Sequence, residues 1–482
     1  MKHALIAILS SCLISEATAQ SPTGDWYGLL DAMGTELAMV LHISKTEDGT
    51  LVGTFDSPDQ NAYGIAMDRI EQAGNQLRWS IDMIQAEYTG TLSELGLKGE
   101  LTQAGFDFPL DFSRTPLTRT GLAARPQDPQ DFPYERIPVT FDGGEEGVLL
   151  AGEITRPQVD EMQRPAEVQK IKAGIILVAG SGGQDRNSEL GRAINHRPFL
   201  VLSDFLTRNG YAVLRYDERG IAESSGDHSS ATSADLALDA TAAAHFFRSQ
   251  VGMEEKPIGI MGHSEGGLIG PIVFNQDPEA LDFLVLLAGP ALPGDSIILE
   301  QSRLIQQQMG APPTLIERNL NPQRRAFSYM RNHPDMDDAA LEAELVQIYV
   351  QAIDDLPAPL QASIDDKEAF ARQQMGPMVN PWLRFFISTD PDDYLSQVTI
   401  PVLALNGELD LQVVAQPNLE AIARSVGSNG NEDVTIVPLP GLNHLFQTAA
   451  RGTPDEYGQI QESFSPTAMR IMLSWLDERF GI

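Results

Sequence analysis

A G-x-S-x-G motif directly behind an apolar run constrains the fold of this chain more than any other feature. The motif extends from Gly262 to Gly266, and the apolar run covers residues 257–261. This pattern predicts a tight turn between a strand and a helix, with Ser264 exposed at the apex. Side chains larger than glycine at either end of the motif would block the close approach of strand and helix. We therefore expect a strand–turn–helix unit that presents one serine.

The sequence around this motif alternates apolar runs with helical patterns, which is typical of a parallel sheet. A hairpin is expected near residues 135–154, and helical patterns cover residues 197–208 and 231–250. The stretch between residues 288 and 401 lacks a strand pattern. We expect it to be helical and to form a cap over the carboxyl ends of the strands. The runs predicted to be strands are 174–179, 211–216, 257–261, 283–288, 401–406 and 434–439.

The N-terminal part of the chain has a different pattern. From about residue 24 to residue 115, apolar and polar positions alternate and turn residues interrupt them, which predicts an antiparallel β-meander or a small barrel. It carries no cluster of titratable groups that looks catalytic, so we expect a structural or substrate-presenting role, with a binding or accessory role as the alternative. The strands are expected at 36–43, 51–55, 76–81 and 88–92.

These patterns together define the expected domain organisation. A proline-rich segment separates the β-domain from the α/β domain, and the helical cap divides the α/β domain into two parts. The expected ranges are a signal peptide at 1–19, the β-domain at 20–115, a linker at 116–134, the α/β domain at 135–290 and 396–482, and the cap at 291–395.

The first residues resemble an export signal. Lys2 precedes an apolar run, and an A-x-A site ends at Ala19, so we expect cleavage there and a periplasmic or secreted protein. The alternative is a lipoprotein anchored through Cys12, the only cysteine of the chain. Cleavage after Ala19 leaves no cysteine, which excludes disulfides, thiolate metal sites and a cysteine nucleophile. No later segment has the ~20 apolar residues of a membrane span.

Charge and motifs exclude several classes of partner. The net charge of −34 argues against nucleic acids and anionic membrane surfaces, and it indicates a solvated acidic surface, with attraction of a cationic substrate as the alternative. The loop at residues 180–183 lacks the third glycine of a dinucleotide fingerprint, and no P-loop follows it. Neither an H-E-x-x-H motif nor a Cys/His cluster occurs. We therefore expect no cofactor and no metal.

If Ser264 is a nucleophile, it needs a base and an acid that orients the base. In the chain order serine, acid, histidine, only His333 and His444 can be the base. His333 lies inside the expected cap, whereas His444 follows the last predicted strand. The acid should follow the preceding strand, where Asp410 is our choice and Glu408, closer to the strand end, is second.

A tetrahedral oxyanion would need two backbone N–H donors. We expect the first from Glu265, the residue after the serine, and the second from the glycine-rich loop at 180–183. In that loop Ser181 is the preferred donor and Gly182 the second choice. Glycines at 180, 182 and 183 let the backbone turn its amides toward a substrate.

Several other residues near the motif have structural interpretations. His263 is expected to pack under the turn. The charged stretch 217–226 is expected to pin the loop that walls the site, with no catalytic role. Trp382, Phe385 and Phe386 are expected to pack in a core, and lining an acyl pocket is the alternative.

From about residue 135 onward the chain resembles the α/β-hydrolase superfamily. Two departures are Ala179, where many relatives carry histidine, and Ala222, which replaces the second glycine of a D-x-R-G-x-G pattern. The N-terminal domain lies outside the resemblance. The matching segments are 177–186, 216–220, 262–267, 401–410 and 441–444.

The resemblance is strongest to bacterial serine carboxylesterases with an N-terminal β-domain. It implies hydrolysis of small carboxylic esters, with short acyl chains, through Ser264, His444 and Asp410 and an acyl-enzyme. The alternatives are a peptidase of the prolyl-oligopeptidase kind or an acyl thioesterase. A more remote alternative is a non-catalytic binding module on a hydrolase fold.

Overall fold

In the computed structural model, the chain forms two compact units, residues 1–120 and 121–482. The expected signal peptide, its cleavage site at Ala19 and the alternative lipid anchor Cys12 lie outside the described residues. The structure describes residues 21–32, 35–46, 48–58, 62–84, 86–93, 96–103, 106–115, 125–158, 171–362, 364 and 366–481.

The first unit is an antiparallel sheet in the order β4-β3-β2-β1-β9-β8-β7-β6-β5. Strand β1 pairs with both β2 and β9, so the first and last strands are neighbours in the middle of the sheet. This confirms the predicted meander, although β1, β4, β5, β8 and β9 were not individually predicted. The strands are β1 (Gly24–Ala32), β2 (Thr35–Lys45), β3 (Leu51–Ser57), β4 (Ala62–Ala66), β5 (Arg69–Ala73), β6 (Gln76–Ile81), β7 (Ala86–Ser93), β8 (Gly96–Gln103) and β9 (Phe106–Ser113).

Aromatic side chains pack against one another in the core on one face of this sheet. The Trp79 ring stacks on Tyr88 with centroids 5.3 Å apart, and Tyr88 meets the edge of Phe112 at 5.5 Å. Buried and exposed residues alternate along β7, as expected for a sheet with one covered face. The period-two pattern in the sequence therefore has its origin in a one-sided core.

The second unit contains a mixed sheet in the order β10-β11-β13-β12-β14-β15-β16-β17. Strands β10 and β11 form the predicted antiparallel hairpin, and β12 to β17 are parallel, as predicted. The strands are β10 (Tyr134–Asp142), β11 (Leu149–Pro157), β12 (Gly174–Val178), β13 (Ala212–Tyr216), β14 (Ile258–His263), β15 (Phe283–Leu287), β16 (Val402–Gly407) and β17 (Val434–Leu439).

Helices cover both faces of this sheet, because its central strands are apolar on both sides. One core contains Leu236, Ile269 and Leu419 from three of these helices, and the other contains Phe199 and Trp475. The helices that surround the sheet are α1 (Gly191–Ile194), α2 (Pro198–Arg208), α3 (Ser233–Arg248), α4 (Gly266–Gln276), α12 (Ala415–Gly427) and α13 (Pro466–Phe480).

A helical insertion lies between β15 and β16, where the cap was predicted. It has a hydrophobic cluster of its own, with Phe327, Leu345 and Ile387 buried inside it. Its helices are α5 (Gly294–Gln308), α6 (Pro313–Asn332), α7 (Asp338–Asp354), α8 (Ala358–Gln361), α9 (Lys367–Met375), α10 (Pro381–Ser388) and α11 (Asp392–Leu395).

Candidate active site

The G-x-S-x-G motif forms the predicted sharp turn between β14 and α4. Ser264 has a φ of +53°, a left-handed conformation that non-glycine residues rarely adopt. A Cβ atom at Gly262 would lie 2.0 Å from the Gly266 carbonyl oxygen, and one at Gly266 would lie 2.3 Å from the Val178 carbonyl oxygen. Both glycines are therefore required by the approach of the backbone, which confirms the steric role predicted for them.

His444 lies in the loop after β17 and reaches the serine. Its Nε2 is 3.1 Å from Ser264 Oγ. The neighbouring Asn443 side chain fixes the loop, because its Oδ1 accepts hydrogen bonds from the backbone N–H groups of Leu445 and Gln447 at 3.1 and 2.9 Å. The imidazole is thus held within hydrogen-bond distance of the hydroxyl.

Asp410, in the loop after β16, orients the imidazole. Its Oδ2 lies 2.8 Å from His444 Nδ1, and its Oδ1 accepts the backbone N–H groups of Gln412 and Val413 at 2.7 and 2.9 Å. A carboxylate can only accept, so Nδ1 carries the hydrogen and Nε2 is left as an acceptor for the serine proton. The structure thus brings Ser264, His444 and Asp410 together in one chain of hydrogen bonds.

The alternative candidates were Glu408 for the acid and His333 for the base, and neither occupies the predicted position. The Glu408 side chain is exposed, and Asp410 occupies the place beside the histidine. His333 is exposed where α6 ends, and its Nδ1 lies 2.9 Å from the Tyr329 carbonyl oxygen.

His263 packs under the turn, as predicted. Its ring centroid lies 4.9 Å from that of His444, and its Nε2 donates to the His444 carbonyl oxygen at 2.8 Å. Burial lowers the pKa of His263 to about 3, so the ring is neutral at physiological pH. It therefore supports the backbone of His444 without adding charge to the site.

The loop after β12 passes directly over the serine. A Cβ atom at Gly180 would lie 3.0 Å from Ser264 Cβ, and Gly182 has a φ of +86° that favours glycine. Among the residues that the structure describes, none accepts a hydrogen bond from the backbone N–H of Ser181 or of Glu265. Both predicted donors are thus free to bind an oxyanion.

Charged residues of the 217–226 stretch pin that loop, as predicted. Asp217 accepts hydrogen bonds from the backbone N–H of Arg186 at 2.7 Å and from its guanidinium at 2.6 Å. Glu218 Oε2 accepts the backbone N–H of Gln184 at 2.9 Å. Because these carboxylates are buried, their hydrogen bonds hold the loop in one position.

The Glu265 side chain joins the turn to two helices. Its Oε1 accepts Ser233 Oγ at 2.6 Å and Trp382 Nε1 at 2.8 Å, and Trp382 belongs to α10 of the insertion. Burial raises the pKa of this carboxyl group, and its Oε2 has no hydrogen-bond partner among the described residues. Trp382 also stacks on Phe386 at 5.2 Å, in agreement with the expected packing role.

A cavity of about 210 Å³ adjoins Ser264, His444 and the 180–184 loop. Its walls come mostly from residues 180–199, between β12 and the first turn of α2, and from the loops after β16 and β17, up to residue 464. None of the lining residues belongs to the insertion, and none is Asp or Glu. They are Gly180, Ser181, Gln184, Ser188, Leu190, Ile194, His196, Pro198, Phe199, His263, Ser264, Gln412, His444, Leu445, Pro454, Tyr457 and Phe464.

Arg125 supports these walls, and sequence reasoning missed it. The buried guanidinium donates to the carbonyl oxygens of Ile194, Tyr457 and Glu462 at 2.7, 3.3 and 3.3 Å. A single arginine in a proline-rich segment belongs to no motif, so nothing in the sequence indicates that it binds three distant carbonyl groups.

Metal-ligand clusters and membrane-spanning helices are both absent from the described part of the chain. Nowhere there do three or more His, Cys, Asp or Glu residues come together as a metal site would require. No helix within those ranges has both the length and the apolar character needed to cross a membrane.

The sheet order, the turn after β14 and the insertion after β15 are those of the α/β-hydrolase fold. In agreement, the sequence model of the family described as serine aminopeptidase, S33 (Hydrolase_4), matches residues 195–353. That range includes Ser264 and ends before Asp410 and His444. No curated protein matches the chain.

Solved structures with a similar fold include two esterases and a dienelactone hydrolase. The Pyrococcus furiosus esterase Pf2001 is 16% identical, with 73% of this chain and 94% of that chain covered at a TM-score of 0.41. The Thermogutta terrifontis esterase is 16% identical, covering 71% and 99%, with a TM-score of 0.37. The Anabaena variabilis dienelactone hydrolase is 13% identical, covering 72% and 98%, with a TM-score of 0.38. These likenesses concern the fold and carry no argument about substrate.

Proposed function

We propose that this α/β-hydrolase is a serine carboxylesterase. The observation that carries the proposal is the chain of hydrogen bonds from Ser264 Oγ to His444 Nε2 at 3.1 Å and from His444 Nδ1 to Asp410 Oδ2 at 2.8 Å. In this arrangement a neutral imidazole takes the serine proton while Oγ attacks an ester carbonyl.

The charge that develops in this step is balanced at two places. The imidazolium of His444 is stabilised by the Asp410 carboxylate, and the oxyanion is held by the backbone N–H groups of Glu265 and Ser181. His444 then protonates the leaving alcohol as the carbon–oxygen bond breaks, which leaves an acyl group on Ser264. Water then attacks that acyl group with His444 again as the base. As the acyl–serine bond breaks, His444 returns the proton to Ser264 Oγ and the free acid is released.

The lining of the cavity favours ester substrates over peptides that must be recognised by a free α-amino group. The matching family is described as serine aminopeptidase, which makes an aminopeptidase the second candidate. Recognition of a free α-amino group calls for a carboxylate near the scissile bond, because a buried ammonium needs a partner. The cavity beside Ser264 has no Asp or Glu in its lining, and most of its wall surface is apolar.

The cavity volume supports a small or medium acyl group. An apolar cavity of about 150 Å³ holds a benzene molecule. The cavity of about 210 Å³ therefore suits short acyl chains or a single ring rather than a long fatty acyl chain.

The proposal is tested by comparing substrates in the wild type and in Ser264→Ala. p-Nitrophenyl acetate and butyrate, butyryl-coenzyme A and an aminoacyl p-nitroanilide differ in leaving group and in charge. We expect the highest kcat/KM for the esters and a loss of about 10⁴-fold or more in Ser264→Ala. Preference for the anilide would favour the peptidase, preference for butyryl-coenzyme A the thioesterase, and ester hydrolysis by Ser264→Ala at the wild-type rate would contradict the mechanism.

We further propose that the protein is exported, on the basis of its first residues. Mass spectrometry of the protein isolated from its native host would then find Gln20 as the first residue. A lipid-modified Cys12 at the N-terminus would establish the anchored form, and an intact N-terminus starting at Met1 would contradict export by a cleaved signal.

A further inference from the structure

The cavity beside Ser264 has a largely apolar wall with two polar groups whose hydrogen-bonding capacity is not fully used. The buried Ser188 and Gln184 side chains of the wall are paired: Ser188 Oγ donates to Gln184 Oε1, and Gln184 Nε2 donates to the Gly180 carbonyl oxygen at 3.2 Å. The two groups with unused capacity deep in the wall belong to Tyr457 and His196. Both are buried, with 4% and 0% of their surfaces exposed.

Tyr457 offers a hydrogen-bond donor. Its hydroxyl oxygen accepts Gln412 Nε2 at 3.0 Å, and none of the described residues accepts the phenol hydrogen. Burial raises the pKa of this phenol, so the hydrogen is retained throughout the working pH range. A buried donor without a partner costs free energy that a ligand acceptor recovers.

His196 offers a hydrogen-bond acceptor. Its Nε2 lies 2.6 Å from the Ser463 carbonyl oxygen, which can only accept, so Nε2 carries the hydrogen and Nδ1 carries a lone pair. Burial lowers the pKa of His196 to about 3, and the ring is neutral. Its Nδ1 has no partner in the described part of the chain.

Resting on the proposed esterase activity, we infer that this cavity binds the acyl group of the ester and selects acyl groups that carry a hydroxyl. A hydroxyl oxygen can accept the Tyr457 hydrogen, and the hydroxyl hydrogen suits the lone pair of a neutral ring nitrogen such as His196 Nδ1. The apolar lining residues, such as Leu190 and Phe199, would contact the hydrocarbon part. The acyl group stays on Ser264 while the alcohol leaves, so an adjoining cavity suits the acyl part.

Selectivity for the acyl group would then lie in the core of the hydrolase unit. The two walls come from the segment between β12 and the first turn of α2 and from the loops after β16 and β17, and no lining residue comes from the insertion. Arg125 links these walls through Ile194 and Tyr457, so it holds the cavity in shape and is a positioning residue.

The test uses p-nitrophenyl esters with one leaving group and matched acyl groups. The pairs are 4-hydroxyphenylacetate with 4-methylphenylacetate, and 3-hydroxyphenylacetate with 3-methylphenylacetate. In the wild type we expect the hydroxyl member to have the higher kcat/KM at one ring position or both. In Tyr457→Phe this preference should fall by roughly 3- to 10-fold, the value of one hydrogen bond.

The control is Tyr349→Phe, which removes a half-buried hydroxyl in the insertion away from this cavity and should leave the preference as in the wild type. If Tyr457→Phe does not fold, Leu190→Phe narrows the cavity at a half-buried lining residue. Its kcat/KM for the ring esters relative to p-nitrophenyl acetate should then fall about tenfold, as one unfavourable contact of about 1.4 kcal/mol would produce.

The inference is overturned by equal rates for hydroxyl and methyl members at both ring positions, by an unchanged preference in Tyr457→Phe, or by an unchanged relative rate in Leu190→Phe. Ser264→Ala separates this failure from that of the proposed function. If Ser264→Ala still hydrolyses all the esters, the esterase mechanism itself is wrong. If Ser264→Ala is inactive but no preference exists, only the acyl selectivity is wrong.

Discussion

The indole Nε1 of Trp382 donates a hydrogen bond of 2.8 Å to the carboxyl Oε1 of Glu265, the residue that follows the candidate nucleophile. The insertion therefore reaches the turn directly, although it contributes nothing to the lining of the cavity beside Ser264. Because the backbone N–H of Glu265 is a proposed oxyanion donor, we expect this contact to couple the position of α10 to the stabilisation of the transition state.

The change Trp382→Phe should remove this hydrogen bond while keeping most of the ring. We expect kcat to fall by about 3- to 10-fold with a smaller change in KM, because the oxyanion donor becomes less well positioned. Steady-state kinetics on p-nitrophenyl butyrate would measure both constants. Phe385→Leu, in the same helix, serves as the control, and an unchanged kcat in Trp382→Phe would argue against the coupling.

The buried carboxyl of Glu265 should make stability depend on pH. Burial raises its pKa in the folded protein above the ordinary value of 4.5, so the folded state holds a proton that the unfolded chain releases. Its contribution to stability is complete below the unfolded pKa and is lost as the pH rises through the folded pKa. Glu265→Gln cannot ionise and should therefore gain stability over the wild type as the pH rises.

Urea unfolding of both proteins at pH 5.5 and pH 8.5 would measure this difference. The free energy of unfolding of Glu265→Gln relative to the wild type should be larger at pH 8.5. Glu218, a second buried carboxyl with a raised pKa, is present in both proteins and serves as a common background. A difference that is constant or that shrinks at pH 8.5 would show that Glu265 does not titrate in this way.

Asp410→Asn should reduce activity severely, because the substitution reverses the direction of the hydrogen bond to the His444 imidazole. The amide can still accept the backbone N–H groups of Gln412 and Val413, but its NH₂ then faces His444 Nδ1 and favours the wrong tautomer. We expect kcat to fall by about 10⁴-fold with the fold intact. The exposed Glu408, changed to Gln, is the control and should retain the wild-type kcat. Comparable losses in the two variants would reject this assignment.

Ala222 stands where the D-x-R-G-x-G pattern of the α/β-hydrolase superfamily has its second glycine, and its φ is +49°. A left-handed conformation costs a non-glycine residue roughly 1–2 kcal/mol, whereas glycine adopts it freely. Ala222→Gly should therefore increase the free energy of unfolding by about 1 kcal/mol, as measured by urea denaturation. Ala243→Gly, inside α3, should decrease it, and a decrease in both variants would disprove strain at position 222.

The sequence was sufficient to predict the features that depend on local pattern. The strands of the parallel sheet are buried on both faces and appear as continuous apolar runs, and the glycines of the turn have steric causes that are local. Chain order placed His444 and Asp410 after two predicted strands, and the parallel arrangement brings the carboxyl ends of such strands to one edge.

Features that depend on distant, irregular segments could not be predicted. The cavity walls include loops that pair through contacts such as His196 with Ser463, 267 positions apart, and loops have no periodicity to reveal their partners. The bond between Trp382 and Glu265 joins the insertion to the turn across 117 positions. Burial of the aromatic cluster around Trp382 was predictable, whereas its hydrogen-bond partner was not.

The central claim is that Ser264 is an activated nucleophile, and the most direct measurement is mass spectrometry of the protein after reaction with a fluorophosphonate. A serine activated by His444 attacks phosphorus and displaces fluoride, which leaves one stable phosphonyl adduct. We predict a single adduct on the peptide that contains Ser264, absent in Ser264→Ala and strongly slowed in His444→Ala. A folded wild-type protein that remains unmodified, or that carries its adduct on another residue, would contradict this account.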